Sequence, residues 1–416
     1  MNLTSVTDGI RQRITATVFL SQSLFSAAII ASFTLTPIIA VQLSGNEATA
    51  GFPSTTTLLG RALAAYPIGV LMDKAGRRMG LSIGFALAVL GAFMSIASIM
   101  AGSFWGFCLG AAFIGMGRSG TDQGRYIAAE VYTEDRRAKV IGLVVFAGTI
   151  GAIAGPLLVP PSTAIAESMG ITGYAGPYLI AASLYLLGLV TVFAFLRPDP
   201  RDVGALVSAQ AASVLKEAGN ARPLLQIFRQ PPVILATASM IIGQLVMTLI
   251  MVITPLHMHH HEHSESSISF VIMAHTLGMF GLSGLTGWLI DRYGRIPLII
   301  GGGVILIISS LMAPVSPDVA VLALALFLLG LGWNFCFIAG SSLLSDSLKS
   351  SERGKAQGTS EMMVSIASGL GGLLTGSVFA TGGMIAVGAF GLASSLILIV
   401  ALFGYGLNKK RNLKHV

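Results

Sequence analysis

Of the 416 residues, 54% are hydrophobic and 10% charged, against roughly 25% charged in an ordinary soluble domain, and the mean hydropathy is +0.80. A soluble core of this length cannot hide so much apolar surface, so most of the chain must have lipid as its solvent. The net charge of +7 would suit a nucleic-acid partner, but the charges are placed where membrane topology needs them, and no nucleic acid is expected.

Arg11 and Arg13 precede a first apolar run that lacks a small-residue cleavage site after a short apolar core, so it reads as a first span and not as a removable signal. Runs long enough to cross a bilayer fall near 15–43, 49–72, 81–101, 104–131, 138–160, 177–196, 232–256, 266–290, 296–315, 319–345, 356–380 and 384–407. These predict an all-α membrane protein with twelve helices in two halves, 1–196 and 232–416. The polar stretch 197–231 between them holds Asp199, Arg201, Asp202, Lys216, Glu217, Arg222 and Arg229, and reads as a linker. The many glycines, 50 in all, suit close approach of helices in lipid. Cys108 and Cys336 both fall in apolar runs and argue against a disulfide framework.

Basic residues set the orientation. With even-numbered loops inside, all of the 25 lie on the cytoplasmic face except Arg61, Arg118 and Arg125, which fall within spans. The inside groups include Lys74/Arg77/Arg78, Arg136/Arg137/Lys139, the linker, Arg292/Arg295, Lys349/Arg353/Lys355 and the tail from Lys409 to Lys414. Both termini are therefore expected to be cytoplasmic. The halves also repeat. Gly69-Val-Leu-Met-Asp73-Lys74-Ala-Gly76-Arg77-Arg78 follows the second span, and Gly287-Trp-Leu-Ile-Asp291-Arg292-Tyr-Gly294-Arg295 follows the eighth. Glu134-Asp135-Arg136-Arg137 is echoed by Ser351-Glu352-Arg353. Two related six-helix halves suit an alternating-access carrier with its substrate near the midplane.

These loops resemble the G-x-L-x-D-R-x-G-R-R signature of the major facilitator superfamily. The first copy has Lys74 where arginine is usual, and the second ends Arg295-Ile296. The resemblance implies a gating role for Asp73, Arg77, Arg78, Asp291, Arg292 and Arg295, through charge pairs that form and break as the halves rock. It names no substrate. Gly148, Gly151, Gly155 and Pro156 partly resemble the glycine–proline motif of superfamily antiporters without its closing glycines, and a packing or hinge role is expected of them.

Six of the seven histidines lie between positions 257 and 275. Five belong to the outer-loop tract His257-Met258-His259-His260-His261-Glu262-His263, and His275 is inside span eight. The tract is either a tolerated polar loop or a collector of transition-metal ions. Met247 and Met251 on span seven, and His275 and Met279 on span eight, are each four apart and so share a helix face. At ~1.5 Å per residue, Met251 sits roughly 8 Å below the outer end of its span, Met247 and His275 about 13 Å down, and Met279 about 19 Å. Thioethers and imidazole without a carboxylate suit a soft monovalent ion, copper(I) best. Methionine is also a common gap-filler, so His275, an ionisable residue within a span, carries more weight than any methionine. Paired M-x-x-x-M and H-x-x-x-M flanking a Met/His loop resemble the CcoA-like copper importers of bacterial inner membranes. That resemblance implies Met247, Met251, His275 and Met279 as ligands of transported copper, and copper supply for assembly of a haem–copper cytochrome oxidase. Riboflavin carriers are relatives of those importers.

Charges inside the spans pull elsewhere. Asp122 is spaced to reach Arg118 and Arg125 along one face of span four, and Arg61 lies mid-span in span two. They are either a structural clamp or a site for an anion, a carboxylate or a proton-linked switch. Three arginines would repel bare copper(I) and suit a chelate or an organic solute. Glu130 and Asp346 are expected to gate with loop arginines, Glu361 in span eleven is the candidate proton-linked carboxylate, and Trp333-Asn334-Phe335-Cys336-Phe337 is either the wall of a cavity, with Asn334 donating to a substrate, or a packed helix interface, the latter being expected. Three functions follow: a secondary importer of copper, an importer of riboflavin or another organic solute, and a membrane copper sensor or assembly factor. The chain has no nucleotide-binding loop, so an ion or substrate gradient is the expected driving force. No enzyme, no permanently bound cofactor and a monomer are expected.

Overall fold

In the computed structural model the described residues are 8–132, 134–211, 222–348 and 352–412, and among them the regular structure is helical, with no strand. Lys216, Glu217, Lys349, Ser351 and Lys414 lie outside the described residues.

The first half opens with α1 (Asp8–Ser44), α2 (Phe52–Ala75) and α3 (Arg77–Met100). Two broken runs come next. Helix α4 (Phe104–Thr121) yields at Asp122–Gln123 to α5 (Gly124–Glu130), and α6 (Glu134–Leu157) yields at Leu158 to α7 (Val159–Ser168). The second break has a plain cause, since Pro156, Pro160 and Pro161 withdraw backbone donors and clash with the preceding turn. Helix α8 (Gly176–Phe195) closes this half. The stretch expected to be a linker carries α9 (Pro200–Ala211) and α10 (Leu224–Phe228).

The second half contains α11 (Pro231–His260), the bent pair α12 (Glu265–Thr276) and α13 (Ser283–Tyr293), then α14 (Arg295–Met312), α15 (Val319–Asp346) and α16 (Arg353–Asn412). A straight 60-residue helix would run about 90 Å, three times the hydrocarbon thickness of a bilayer, roughly 30 Å. Non-helical backbone at Gly382 and Gly383 divides α16 into two arms. Among the described residues eight helices are long and apolar enough to cross a membrane, or nine with the bent pair taken as one span. Length and hydropathy therefore return fewer than the expected twelve. Helix α2, rich in threonine and carrying Arg61, and α4, which ends in Arg118-Ser-Gly-Thr, are not among the eight.

The chain separates into two compact units, Met1–Gly45 with Phe52–Lys216, and Asn46–Gly51 with Glu217–Val416. The short segment 46–51 thus belongs to the second unit although the helices on either side of it in sequence belong to the first. In unit 1, α3 packs on α4 and α8, α2 on α4, and α1 on α6 and α8. Gly151 and Gly155 lie against the α1 backbone at Ser23 and Ala27, where a side chain would collide, and Ser23 and Ser26 donate to the carbonyls of Ala147 and Gly148. The glycine–proline segment therefore packs α6 on α1. In unit 2, α11 packs on α16 and α15, and α14 on α15. At the linker end Ile227, Val233, Ala236, Leu344, Leu348 and Ala356 form a buried apolar cluster.

Candidate functional site

Both signature loops turn on a glycine, Gly76 with φ 98° and ψ 160° and Gly294 with φ 90° and ψ 172°. That region is essentially open to glycine alone, which is why the motif holds a glycine there in each copy. The arginine that follows then points back to a carboxylate at the end of the next span. Arg77 makes a bidentate pair with Glu130, at 3.0 and 3.2 Å, and also pairs with Asp73. Arg295 lies 2.8 Å from Asp346. Glu130 and Asp346 are thus each paired with a loop arginine. Arg78 rests over the Phe193 ring at 5.0 Å. Arg292 lies over the rings of Trp288 and Tyr293, and Asp291 is exposed.

The linker contributes contacts that sequence reading did not anticipate. Asp199 accepts from the backbone N–H groups of Arg77 and Arg78, at 3.0 and 3.1 Å, so it caps α3 from 122 residues away in sequence. Arg201 donates to the carbonyls of Asp73 and Lys74. At the other end of the linker, Arg222 clasps Glu352, which is 1% exposed. That pairing holds the Arg222 guanidinium above its usual pKa, chiefly through the Glu352 hydrogen bond. Each end of the linker is tied to its own unit.

Within unit 2 the bent pair α12–α13 is joined by a single π-helical turn, Leu277–Gly281, with a bend of 40°. A break at membrane depth leaves backbone groups without partners, and these must be satisfied by protein. Asn334 of α15 does this, donating to the Met279 carbonyl at 2.6 Å and to Ser283 Oγ at 3.0 Å while accepting from Thr286. Its hydrogen bonds are thereby committed, and the packed interface expected for this segment is found there. At the neighbouring residue the character changes. The Trp333 indole donates to Gln244 Oε1 at 2.8 Å, its ring stacks on Phe337 with centroids 4.8 Å apart and planes at 17°, and Phe280 meets it edge-on at 6.0 Å. Gln244 and Thr248 of α11 both reach Ser368. Gln244 and Ser368 were missed by the sequence reading. Gln244 is a polar residue within a span on the same helical face as Met247 and Met251, which is the signal that could have found it.

The proposed metal ligands lie on α11, on α12 and in the π turn, and α11 and α12 both pack on α15. Met247 and Met251 are half-buried on α11, which packs chiefly on α16 and α15, whereas α12 packs chiefly on α15. Met279 is half-buried in the π turn. His275 is 1% exposed, its Nδ1 lies 3.0 Å from the Leu326 carbonyl, and its Nε2 is buried without a partner. In the outer tract, Met258 is fully buried, while His259, His260, His261 and Glu262 are exposed. The His257 and His261 rings meet edge-on at 4.8 Å, His260 lies 3.5 Å from Glu47, and His263 Nε2 is 2.8 Å from the Pro317 carbonyl. Among the described residues no group of three or more His, Cys, Asp and Glu is arranged to hold a metal ion. Glu361 is exposed and makes no side-chain ion pair among the described residues.

In unit 1, Arg61 of α2 reaches across to Asp122, which sits in the turn between α4 and α5, with Nε 2.7 Å from Oδ2. Arg118 Nε is 3.9 Å from the other carboxylate oxygen. Arg125 has its guanidinium over the Tyr126 ring at 4.9 Å and a buried Nε without a partner.

Comparison with known proteins gives a consistent family pattern. The Major Facilitator Superfamily model matches residues 18–263 and 237–415. An uncharacterized MFS-type transporter of Bacillus subtilis, YdeG, is 34% identical, over 92% of this chain and 89% of its own. The riboflavin transporter RfnT of Brucella anthropi is 31% identical over 79% of both chains. Among solved structures the D-xylose–proton symporter aligns with a TM-score of 0.71 at 17% identity, covering 93% of this chain and 96% of that one. A bacterial homologue of the lysosomal transporter Spinster aligns at 0.69 and 16%, covering 98% of both.

Proposed function

The chain belongs to the major facilitator superfamily, a multi-pass membrane transporter and not an enzyme, and on that premise we propose that it imports a small organic solute with a flat aromatic ring, riboflavin or a relative of it. Import runs by alternating access across the inner membrane, is driven by a gradient, and uses a single copy of the chain. The observation that carries this reading is the stacked pair Trp333–Phe337 with the indole held in place by Gln244. A planar heterocycle extends such a stack, and amide and hydroxyl groups of Gln244, Thr248 and Ser368 supply the few polar contacts that orient a solute. Similarity to a riboflavin transporter over four-fifths of the chain supports the same class.

The test is uptake of labelled riboflavin by riboflavin-requiring cells with and without the protein. Uptake should need the protein and fall roughly tenfold or more in Trp333→Ala, since a ring-stacking contact is worth about 1–3 kcal/mol. Uptake indifferent to the protein defeats the reading. Copper import is the second reading, and one observation favours it: the His275 Nε2 is buried and unpartnered, as a ligand nitrogen awaiting an ion would be. In the same cells, copper accumulation that needs both the protein and His275 would replace riboflavin with copper, and with it the tie to cytochrome oxidase assembly. Accumulation unchanged in His275→Ala removes copper from consideration.

A further inference from the structure

The arginines of unit 1 are not accounted for by an aromatic stack in unit 2. Three guanidiniums, Arg61, Arg118 and Arg125, share a short stretch of spans two and four with a single carboxylate, Asp122. A structural clamp would be buried, with its donors and acceptors used up. This cluster is only part-buried, and its donors and acceptors are not used up. Arg118 is 40% exposed and Arg61 35%, so neither guanidinium is sealed by the packing around it. The Arg118–Asp122 separation of 3.9 Å allows attraction but no hydrogen bond. The Arg61 contact is close, yet its angle is not that of a hydrogen bond, and Asp122 Oδ2 stays unsatisfied in that sense. Arg125 Nε is buried and bonded to nothing. Among the described residues the three guanidiniums make no hydrogen bond, and two positive charges are left over once Asp122 is counted.

We propose that Arg61 and Arg118 form a site for an oxyanion, a carboxylate or phosphate group carried by the transported solute, with Asp122 as an internal stand-in that the solute's anion displaces. Guanidinium forks match both planar carboxylates and phosphates. Asp122 holds Arg61 closely and Arg118 loosely, offsetting one of the positive charges while leaving guanidinium donors available. The inference rests on the transporter reading and concerns the charge of the solute alone: riboflavin itself has no carboxylate or phosphate, so the anion would belong to a phosphorylated or carboxylated relative, and the site does not depend on the aromatic ring.

The experiment is thermal unfolding of the purified full-length protein in detergent, titrated with ribose 5-phosphate, ribonate and ribose, and separately with riboflavin. Stabilisation by either anion and not by ribose is expected, and which anion acts tells phosphate from carboxylate. In Arg118→Gln the apparent affinity should drop about tenfold or more, the loss expected for a charge-assisted hydrogen bond. In Asp122→Asn it should rise several-fold, because the internal competitor is gone; a gain of this kind cannot come from misfolding. Stabilisation that is the same in Arg118→Gln is a general salt effect and overturns the site, as does equal stabilisation by ribose, no stabilisation by either anion, or weaker anion binding in a folded Asp122→Asn. Riboflavin is the separate arm. Anions that bind while riboflavin does not leave the site standing and fell the aromatic reading, and the converse fells the site alone.

Discussion

The signature motif occurs in both units, ten residues long in the first and one basic residue short in the second, and is built differently in each. In unit 1 the loop after α2 is enclosed. Asp199 caps the following helix, Arg201 takes the last carbonyls of α2, and Arg77 is shared between Glu130 and Asp73. In unit 2 the loop after α13 is open. Arg292 lies on its own helix's aromatic rings, Asp291 is exposed, and Arg295 has one carboxylate at a single contact. The difference is the linker, whose first turn docks on the unit 1 loop. No described segment does the same for the second loop. A signature motif thus supplies the charges, while the segment packed beside it decides how firmly they are held.

The glycines test this most severely. Gly76→Ala and Gly294→Ala both force a side chain into backbone that costs about 1–3 kcal/mol for a residue other than glycine. At Gly76 the new methyl also meets the Asp199 carboxylate, whereas at Gly294 the nearest atom is Pro297 Cδ at 4.0 Å. The thermal midpoint should fall further for Gly76→Ala. Equal losses would mean that the linker segment yields freely and that the first loop is no more enclosed than the second.

A smaller effect isolates the cap. Asp199→Ala should destabilise by about 0.5–2 kcal/mol, the usual cost of an N-cap, measured by denaturant or thermal unfolding, and Asp199→Asn should recover much of it. No effect in Asp199→Ala would show that the two loops differ in appearance alone. Smaller still is Arg292→Ala, which removes an exposed cation–ring contact worth about 0.5–1 kcal/mol. Its stability should barely move, while Arg77→Ala, which frees Glu130 from its bidentate partner, should cost more in the same assay.

The lipid environment, the repeat and the family were readable from composition, hydropathy and two loop motifs, because each is a property of residues near one another along the chain. The broken spans were partly readable. Pro156, Pro160 and Pro161 announce one break, but the π turn at Leu277–Gly281 has no proline, and it stands because Asn334 arrives from 55 residues away to satisfy Met279. The candidate site divides the same way. The intramembrane arginines and His275 announce themselves, since an ionisable residue in a span needs a reason. Gln244 and Ser368 do not, being uncharged residues within apolar runs.

What the amino-acid order settled, then, is the class of protein, its twofold plan and where along each span the charges sit. What required the folded chain is who meets whom: that Asp199 caps α3, that Asp122 holds Arg61 closely and Arg118 loosely, and that His275 turns one nitrogen to Leu326 and leaves the other bare. Periodicity fixes the face of a helix on which a residue lies, within a few turns. Which faces come together depends on close packing across more than a hundred residues, and local pattern carries no record of that.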